Sequence, residues 1–180
     1  GVVMPYGDGP RPAYTEYIAE NIYLNMINTA ERYIWITTPY LIIDSKLENA
    51  LKNAAMRGVD VRIITPHIPD KKTIFALTRS YYKRLTDSGV KIFEYIPGFI
   101  HAKQTICDDD IAMVGTVNLD YRSLIHHYEC GVLMYRADCL ADIKTDFENL
   151  FSVSMNMKDF RQREIVTHFC RIVTAFTPLL

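Results

Sequence analysis

A chain of 180 residues with 49% hydrophobic and 23% charged side chains has ordinary globular composition and enough length to bury a real core. Its net charge of −1 speaks against a dedicated nucleic-acid binder, which would be uniformly basic. Four scattered cysteines with no CxxC pair speak against a disulfide framework or a zinc site, and read instead as buried or half-buried thiols of a reducing compartment. No apolar run approaches the ~18 residues of a membrane span, and the opening GVVMPYGDGP lacks the charged leader of a signal peptide.

In chain order, Val2–Met4 reads as a short strand, followed by a Gly- and Pro-rich loop over Pro5–Pro12. Between Ala13 and Ala30, apolar residues such as Ile18, Ile22 and Ile27 recur at helical spacing. Tyr33–Thr38 is a short apolar, β-branched run and predicts a buried strand that Pro39 ends. Asp44 or Ser45 caps a helix with Leu47, Leu51, Ala54 and Ala55 on one face, closed by Gly58. Val61–Thr65 is the next strand, Asp70–Asp87 the next helix with Gly89 as its stop, and Val90–Tyr95 a further strand. Tyr128–Tyr135 predicts one more strand, and 138–151 and 158–176 two more helices, while 123–125 is too short to assign. Strands alternating with helices predict an α/β fold: a mixed, largely parallel β-sheet sandwiched between helices, in a single domain over residues 1–180.

Between these elements lies HAKQTICDDDIAMVGTVNLDYRS, residues 101–123. It reads as two short strands joined by the acidic turn Asp108–Asp110. Residues two apart on a strand share a face, so His101 and Lys103 point the same way. An imidazole beside a fixed positive charge, with the Thr116 hydroxyl and the Asn118 amide from the following turn, suits a phosphate ester. Asp108 lies seven residues from His101, an odd number, so a regular strand sends it to the opposite face. The acidic run 108–110 is more often a solvated turn than a metal site, and a lysine in the pocket competes with a cation. No metal is therefore assigned.

His101-x-Lys103-x4-Asp108-x6-Gly115-Thr116-x-Asn118 resembles the HxKxxxxD (HKD) motif of the phospholipase D superfamily. The surrounding YIWITTPYLI, RGVDVRIITP, RSYYKRLTDSGVKIFEY, GFIHAK and GTVNLDYRS, and the closing TPLL, resemble the C-terminal catalytic half of bacterial cardiolipin synthases over nearly the whole chain. The resemblance implies a phospholipase D-like α/β/α fold and a chain that is the second HKD half of a longer parent. That parent would also carry membrane segments and a first HKD half.

The implied activity passes a phosphatidyl group from one phosphatidylglycerol to a hydroxyl of another, releasing glycerol, through a phosphohistidine intermediate and with no cofactor. The motif's catalytic set is His101, Lys103 and Asp108, although resemblance and parity alike give Asp108 a structural task, with Arg122 as its candidate partner. Asn118 and Thr116 are expected to bind the substrate phosphate, Thr116 replacing the commoner serine. Glu129, in an otherwise apolar strand, is expected to hydrogen-bond and orient His101. His127, two residues before it, is a weaker candidate for the pocket, and His67 and His168 read as surface or loop residues.

Expected partners are phosphatidylglycerol and anionic membrane lipids, with either the first HKD half or a second copy in a homodimer completing the site, and no nucleic acid. The parent is expected at the cell membrane, its catalytic domain on the cytoplasmic side. Six basic residues against two acidic ones over 70–91, and the apolar stretches IPGFI (96–100) and VSMNMKDF (153–160), are candidates for lipid contact. Two rival readings share the chemistry: a phosphatidylserine synthase, and a dimeric phospholipase D-like phosphodiesterase or nuclease.

Overall fold

The computed structural model describes residues 1–162 and 164–175. The expected helix end at Phe176, the closing TPLL and the His168 side chain lie outside the described residues. In chain order the elements are β1 (Val2–Asp8), α1 (Ile18–Thr29), β2 (Tyr33–Thr37), β3 (Leu41–Ile42), α2 (Ser45–Met56), β4 (Asp60–Pro66), α3 (Lys72–Thr86) and β5 (Lys91–Tyr95). They continue with β6 (Gln104–Cys107), β7 (Ile111–Gly115), β8 (Leu119–Asp120), α4 (Tyr121–Ile125), β9 (Glu129–Tyr135), α5 (Leu140–Ser152), β10 (Ser154–Asn156) and α6 (Glu164–Ala175).

Eight strands form one sheet in the order β1-β9-β7-β6-β2-β4-β5-β10, while β3 and β8 form a small parallel pair. The sheet is mixed and covered by helices, as expected, but it is not largely parallel. Only β2–β4 and β4–β5 run parallel among its described pairs; the rest are antiparallel. The physical reason is connection length. Parallel neighbours need a crossover helix, supplied here by α2 and α3, whereas β6 and β7 are joined by a three-residue turn that permits only a hairpin.

The buried strand β2 shows why its run is continuously apolar. Ile34 and Ile36 face a core shared with α1, α2 and α3, while Tyr33 and Trp35 face a second core against Phe147 of α5. All five β2 residues are buried. The Asp44 carboxylate caps α2 by accepting the Leu47 N–H at 2.9 Å, and Gly58, at φ +94°, takes the left-handed turn beyond it. At one sheet edge β1 runs on to Asp8, so the loop predicted from Pro5 begins four residues late, at Gly9. Val2, Val3 and Met4 on that strand are more than half exposed.

Two composition-based expectations need correction. Cys107 and Cys170 are buried, but Cys130 and Cys139 are exposed. The basic run over 70–91 is largely neutralised internally: Arg79 pairs with Glu94, Lys83 with Asp87, Arg84 with Glu48 and Lys91 with Asp60. Among the expected lipid-contact residues, Ile96, Phe99, Val153 and Met155 are exposed, whereas Ile100 and Met157 are buried.

β7 and β9 approach closely where Gly115 faces Gly131. A Cβ at Gly115 would stand 2.4 Å from the Cys130 carbonyl oxygen and 2.7 Å from the Gly131 Cα, both backbone atoms that cannot move aside alone. Gly115→Ala is expected to cost about 1–3 kcal/mol as an overpacked contact. At roughly 2–4 °C per kcal/mol for a chain of this size, thermal unfolding should show a fall in Tm of several degrees.

Candidate active site

The segments that carry His101, Lys103, Thr116, Asn118 and Glu129 meet at one end of the sheet, and Asp108 lies at the other. Because β6 is antiparallel to β2, its first residue Gln104 lies beside Thr37 at the end of β2 and beside Val114 near the end of β7. The segment 101–103 is therefore delivered to the edge where β2, β4, β5 and β7 all terminate. His101 and Lys103 are not in a strand, as parity assumed, but immediately precede β6.

They nevertheless meet. The Lys103 ammonium lies 2.8 Å from His101 Nδ1 and 3.0 Å from Nε2, and donates to the His101 carbonyl oxygen at 2.7 Å. The lone pairs of the two ring nitrogens diverge, so at most one accepts from the ammonium at a time. Phe99 packs against the imidazole at a tilt, with ring centroids 5.7 Å apart, and the Tyr40 ring lies 6.5 Å from that of Phe99.

Burial lowers the His101 pKa below the ordinary histidine value, and the Lys103 charge lowers it further, with Asp70 opposing. Asp70 is held by the Tyr40 hydroxyl, which donates at 2.6 Å. Burial also lowers the Lys103 pKa, against the pull of Glu129 and Asp120. The result is an imidazole biased towards its neutral form beside a cation that no carboxylate contacts directly among the described residues.

The turn after β7 is built from hydroxyls and carboxylates. Thr38 Oγ1 accepts the Leu119 N–H at 3.0 Å, and the buried Tyr23 hydroxyl donates to the Val117 carbonyl at 3.2 Å. Glu129 accepts from the Thr116 hydroxyl on one carboxylate oxygen and from the Ser123 hydroxyl on the other. Its carboxylate is thus committed to this turn; among the described residues it is not hydrogen-bonded to His101. His127 Nδ1 lies 3.8 Å from it.

Thr116 has one proton, given to Glu129, and its oxygen accepts the Cys130 N–H at 3.1 Å. It therefore positions Glu129 instead of presenting a free donor. Asn118 donates its backbone N–H to Ser123 Oγ at 3.0 Å, and its side chain hydrogen-bonds Asp120. Asn118 Oδ1 is buried with no partner among the described residues. Ser123, buried at the centre of this network, and Asp120, which caps α4 by accepting the Ser123 N–H at 2.8 Å, were missed from sequence. Their only signal there was the polar spacing in NLDYRS.

Asp108 stands at the other end of β6, about 16 Å from Lys103 at ~3.3 Å per residue. It sits at φ +53° and accepts the N–H groups of Glu31, Arg32 and Tyr33 at 2.7, 2.8 and 2.8 Å. Burial raises its pKa, but those N–H donors outweigh it and hold the carboxyl below the usual range. Its carboxylate is not paired, among the described residues, with the suggested Arg122; Arg32 donates to the Asp108 backbone carbonyl and forms its ion pair with Asp109 at 3.0 Å. Among the described residues no group of three or more His, Cys, Asp or Glu side chains forms a metal-binding cluster, and no helix is long and apolar enough to cross a membrane.

A family model described as "Cardiolipin synthase, PLD-like domain" matches residues 23–151. The chain belongs to this phospholipase D-like family. It is 55% identical over its whole length to an uncharacterized protein of Streptococcus mutans, of which it covers 39%. It is 44% identical over 72% of its length to cardiolipin synthase 2 of Bacillus anthracis, covering 25% of that protein. With the cardiolipin synthase of Halalkalibacterium halodurans it shares 36% identity over its whole length and 36% of the relative's.

The chain thus spans between a quarter and two-fifths of these relatives. In fold it is similar to the phospholipase D family member Nuc of Salmonella typhimurium, with a TM-score of 0.71 at 17% identity, covering 89% of this chain and all of Nuc. It is equally similar to phosphatidylserine synthase of Haemophilus influenzae, with a TM-score of 0.72 at 15% identity, over 98% of this chain and 45% of that one.

Two outcomes are expected. Asp108→Ala should lower stability by about 1–3 kcal/mol, since three successive N–H groups at the entry to β2 lose a charged acceptor. Because the folded pKa of Asp108 is depressed, its contribution is complete above the unfolded value of about 3.9 and is lost as pH falls through the lower folded value. The gap between the melting curves of wild type and variant should therefore be constant from pH 7 to about pH 5 and begin to close below about pH 4. Separately, NMR titration should find His101 below the usual histidine value of about 6.5, and Lys103→Ala should move it upward by removing the one charge that adds to burial in lowering it.

Proposed function

We propose that the protein carrying this chain is a phosphatidyltransferase that makes cardiolipin from two phosphatidylglycerol molecules and releases glycerol. The observation that carries this reading is the Lys103 ammonium set against the His101 imidazole, in a chain 36–44% identical to proteins named cardiolipin synthase. Phosphoryl transfer asks mainly for positioning and charge neutralisation, and Lys103 supplies a cation whose charge no bonded carboxylate cancels.

This chain contributes one of two HKD motifs; the second comes from another part of the same protein or from a second copy. One histidine attacks phosphorus, forming a P–N bond as the P–O bond to glycerol breaks. His101, the general acid and base, protonates the leaving oxygen. It then takes the proton of the incoming hydroxyl as that oxygen displaces the first histidine. A neutral imidazole suits the second step, and the negative charge of a bound diester favours its protonation for the first.

Lys103 neutralises the phosphate oxygens. Asn118, with one amide hydrogen towards Asp120, has a second to give to them. Thr116 and Glu129 hold the turn that carries Asn118. The enzyme works at a membrane, with this domain on the cytoplasmic side.

The assay is transfer by the full-length protein in vesicles of phosphatidylglycerol, with serine and with nucleic acid as rival substrates. Cardiolipin and free glycerol are the expected products, and Lys103→Ala should abolish them without lowering Tm. Exclusive use of serine as acceptor, or cleavage of nucleic acid alone, would hand the function to the corresponding rival. A phosphoenzyme trapped with phosphate on His101 would reverse the roles of the two histidines.

A further inference from the structure

Most lysine and arginine side chains of the described residues contact a carboxylate, a backbone carbonyl or an aromatic ring. Lys71, Lys72, Arg122 and Lys158 have no such partner among the described residues. Two of these four, Lys71 and Arg122, line a single cavity of about 170 Å³ between β3, the start of α3 and the start of α4. Its floor is apolar, with Ile42, Ile74 and Leu77, and Tyr40 and Asp120 form its side towards the catalytic residues.

Unpaired charges gathered at a concave, partly apolar surface are a site for the opposite charge. The space has room for several waters, or for a phosphate group with its first carbons. We propose that this cavity binds the glycerol phosphodiester headgroup of an anionic phospholipid, the acceptor in the transfer reading above, on which the assignment of that lipid as acceptor rests.

Each side of the cavity has a task. Lys71 and Arg122 take the phosphate oxygens, Arg122 with a planar fork that suits two of them. Asp120 also lines the cavity, and a carboxylate would repel a bare phosphate. Its oxygens already accept from the Ser123 N–H and from Asn118, and a remaining lone pair accepts from a glycerol hydroxyl, which inorganic phosphate lacks. The apolar floor receives the first carbons of the lipid backbone. Tyr40, which lines the cavity, packs against Phe99, and Phe99 against His101, with ring centroids 6.5 and 5.7 Å apart, so a chain of ring contacts joins the cavity to the imidazole. A diester anchored here presents its terminal glycerol towards the imidazole that is to deprotonate it.

The test is chemical footprinting of the full-length protein carrying Lys103→Ala, so that the probe is not consumed. Glycerophosphoglycerol, the soluble headgroup, is titrated against acetylation of lysine side chains, read by mass spectrometry. Lys71 should be protected in a saturable way, while Lys158 keeps its rate. Arg122→Gln should shift the protecting concentration upward by about tenfold, the scale of losing one charge-assisted hydrogen bond. Inorganic phosphate should need about tenfold more than the diester, for want of the hydroxyls that Asp120 accepts.

Both cations are exposed, so an unchanged Tm separates lost binding from lost fold. Lys71 labelled at one rate with and without the diester overturns the site. Equal protection by inorganic phosphate overturns the assignment to a glycerol diester. A wild-type protein that makes no cardiolipin, with protection intact, sinks the transfer reading and leaves the binding site standing.

Discussion

The register of β6 against β2 is the constraint on which the rest of the site depends, and Asp108 locks it. Its carboxylate gathers three successive N–H groups at the entry to β2, while its own N–H donates to the Tyr33 carbonyl at 3.2 Å. A one-residue slip would break all four bonds and turn the side chains of β6 to the wrong faces. Since β6 is only four residues long, fixing its far end also fixes where its near end emerges. That near end is where Lys103 stands. The motif's aspartate and lysine thus cooperate without touching: one sets the frame and the other uses it.

A second polar cluster holds the helical side of the site. Glu94 is fully buried in β5 and accepts two hydrogen bonds from Arg79 at 2.8 and 2.6 Å and one from the Tyr82 hydroxyl at 2.9 Å, with His67 Nδ1 at 2.7 Å. Arg79 lies between the rings of Phe75 and Phe160, 4.1 and 4.8 Å from their centroids. A buried carboxylate so fully engaged makes loss of one partner costly, on the order of 3–5 kcal/mol. It adds orientation more than net stability, pinning α3 to the sheet in one rotational setting. Lys71 and Ile74 sit at the amino-terminal end of that helix.

Much of this was legible from residue patterns, for identifiable reasons. Strong apolar runs such as YIWIT and VRIIT marked buried strands, and Asp44 and Gly58 marked the limits of α2 because cap chemistry is local. The pairing of His101 with Lys103 was legible from spacing, although the parity that suggested it belongs to a strand beginning one residue later. Strand direction was not legible: alternation suggests parallel neighbours, and although the three-residue turn between β6 and β7 forces a hairpin, nothing local announces the antiparallel pairings of β6 with β2 and of β7 with β9 across much longer connections. Nor were the partners of Glu129 and Glu94. A carboxylate in an apolar strand announces that something must satisfy it, but not which of several hydroxyls or cations will. His67, which lies in the loop just after β4 as expected, is one such partner.

The outer rim of β1 has a bearing on how the molecule behaves in company. Its pairing with β9 leaves the other side of the strand without a described neighbour, and Val2, Val3 and Met4 stand exposed along it. No charged residue interrupts the strand before Asp8. Pro5 removes one donor from the ladder, a modest brake on strand addition. A concentrated preparation therefore carries a sticky border, where self-association by edge pairing competes with solubility, and a single lysine among the first four residues is the economical remedy.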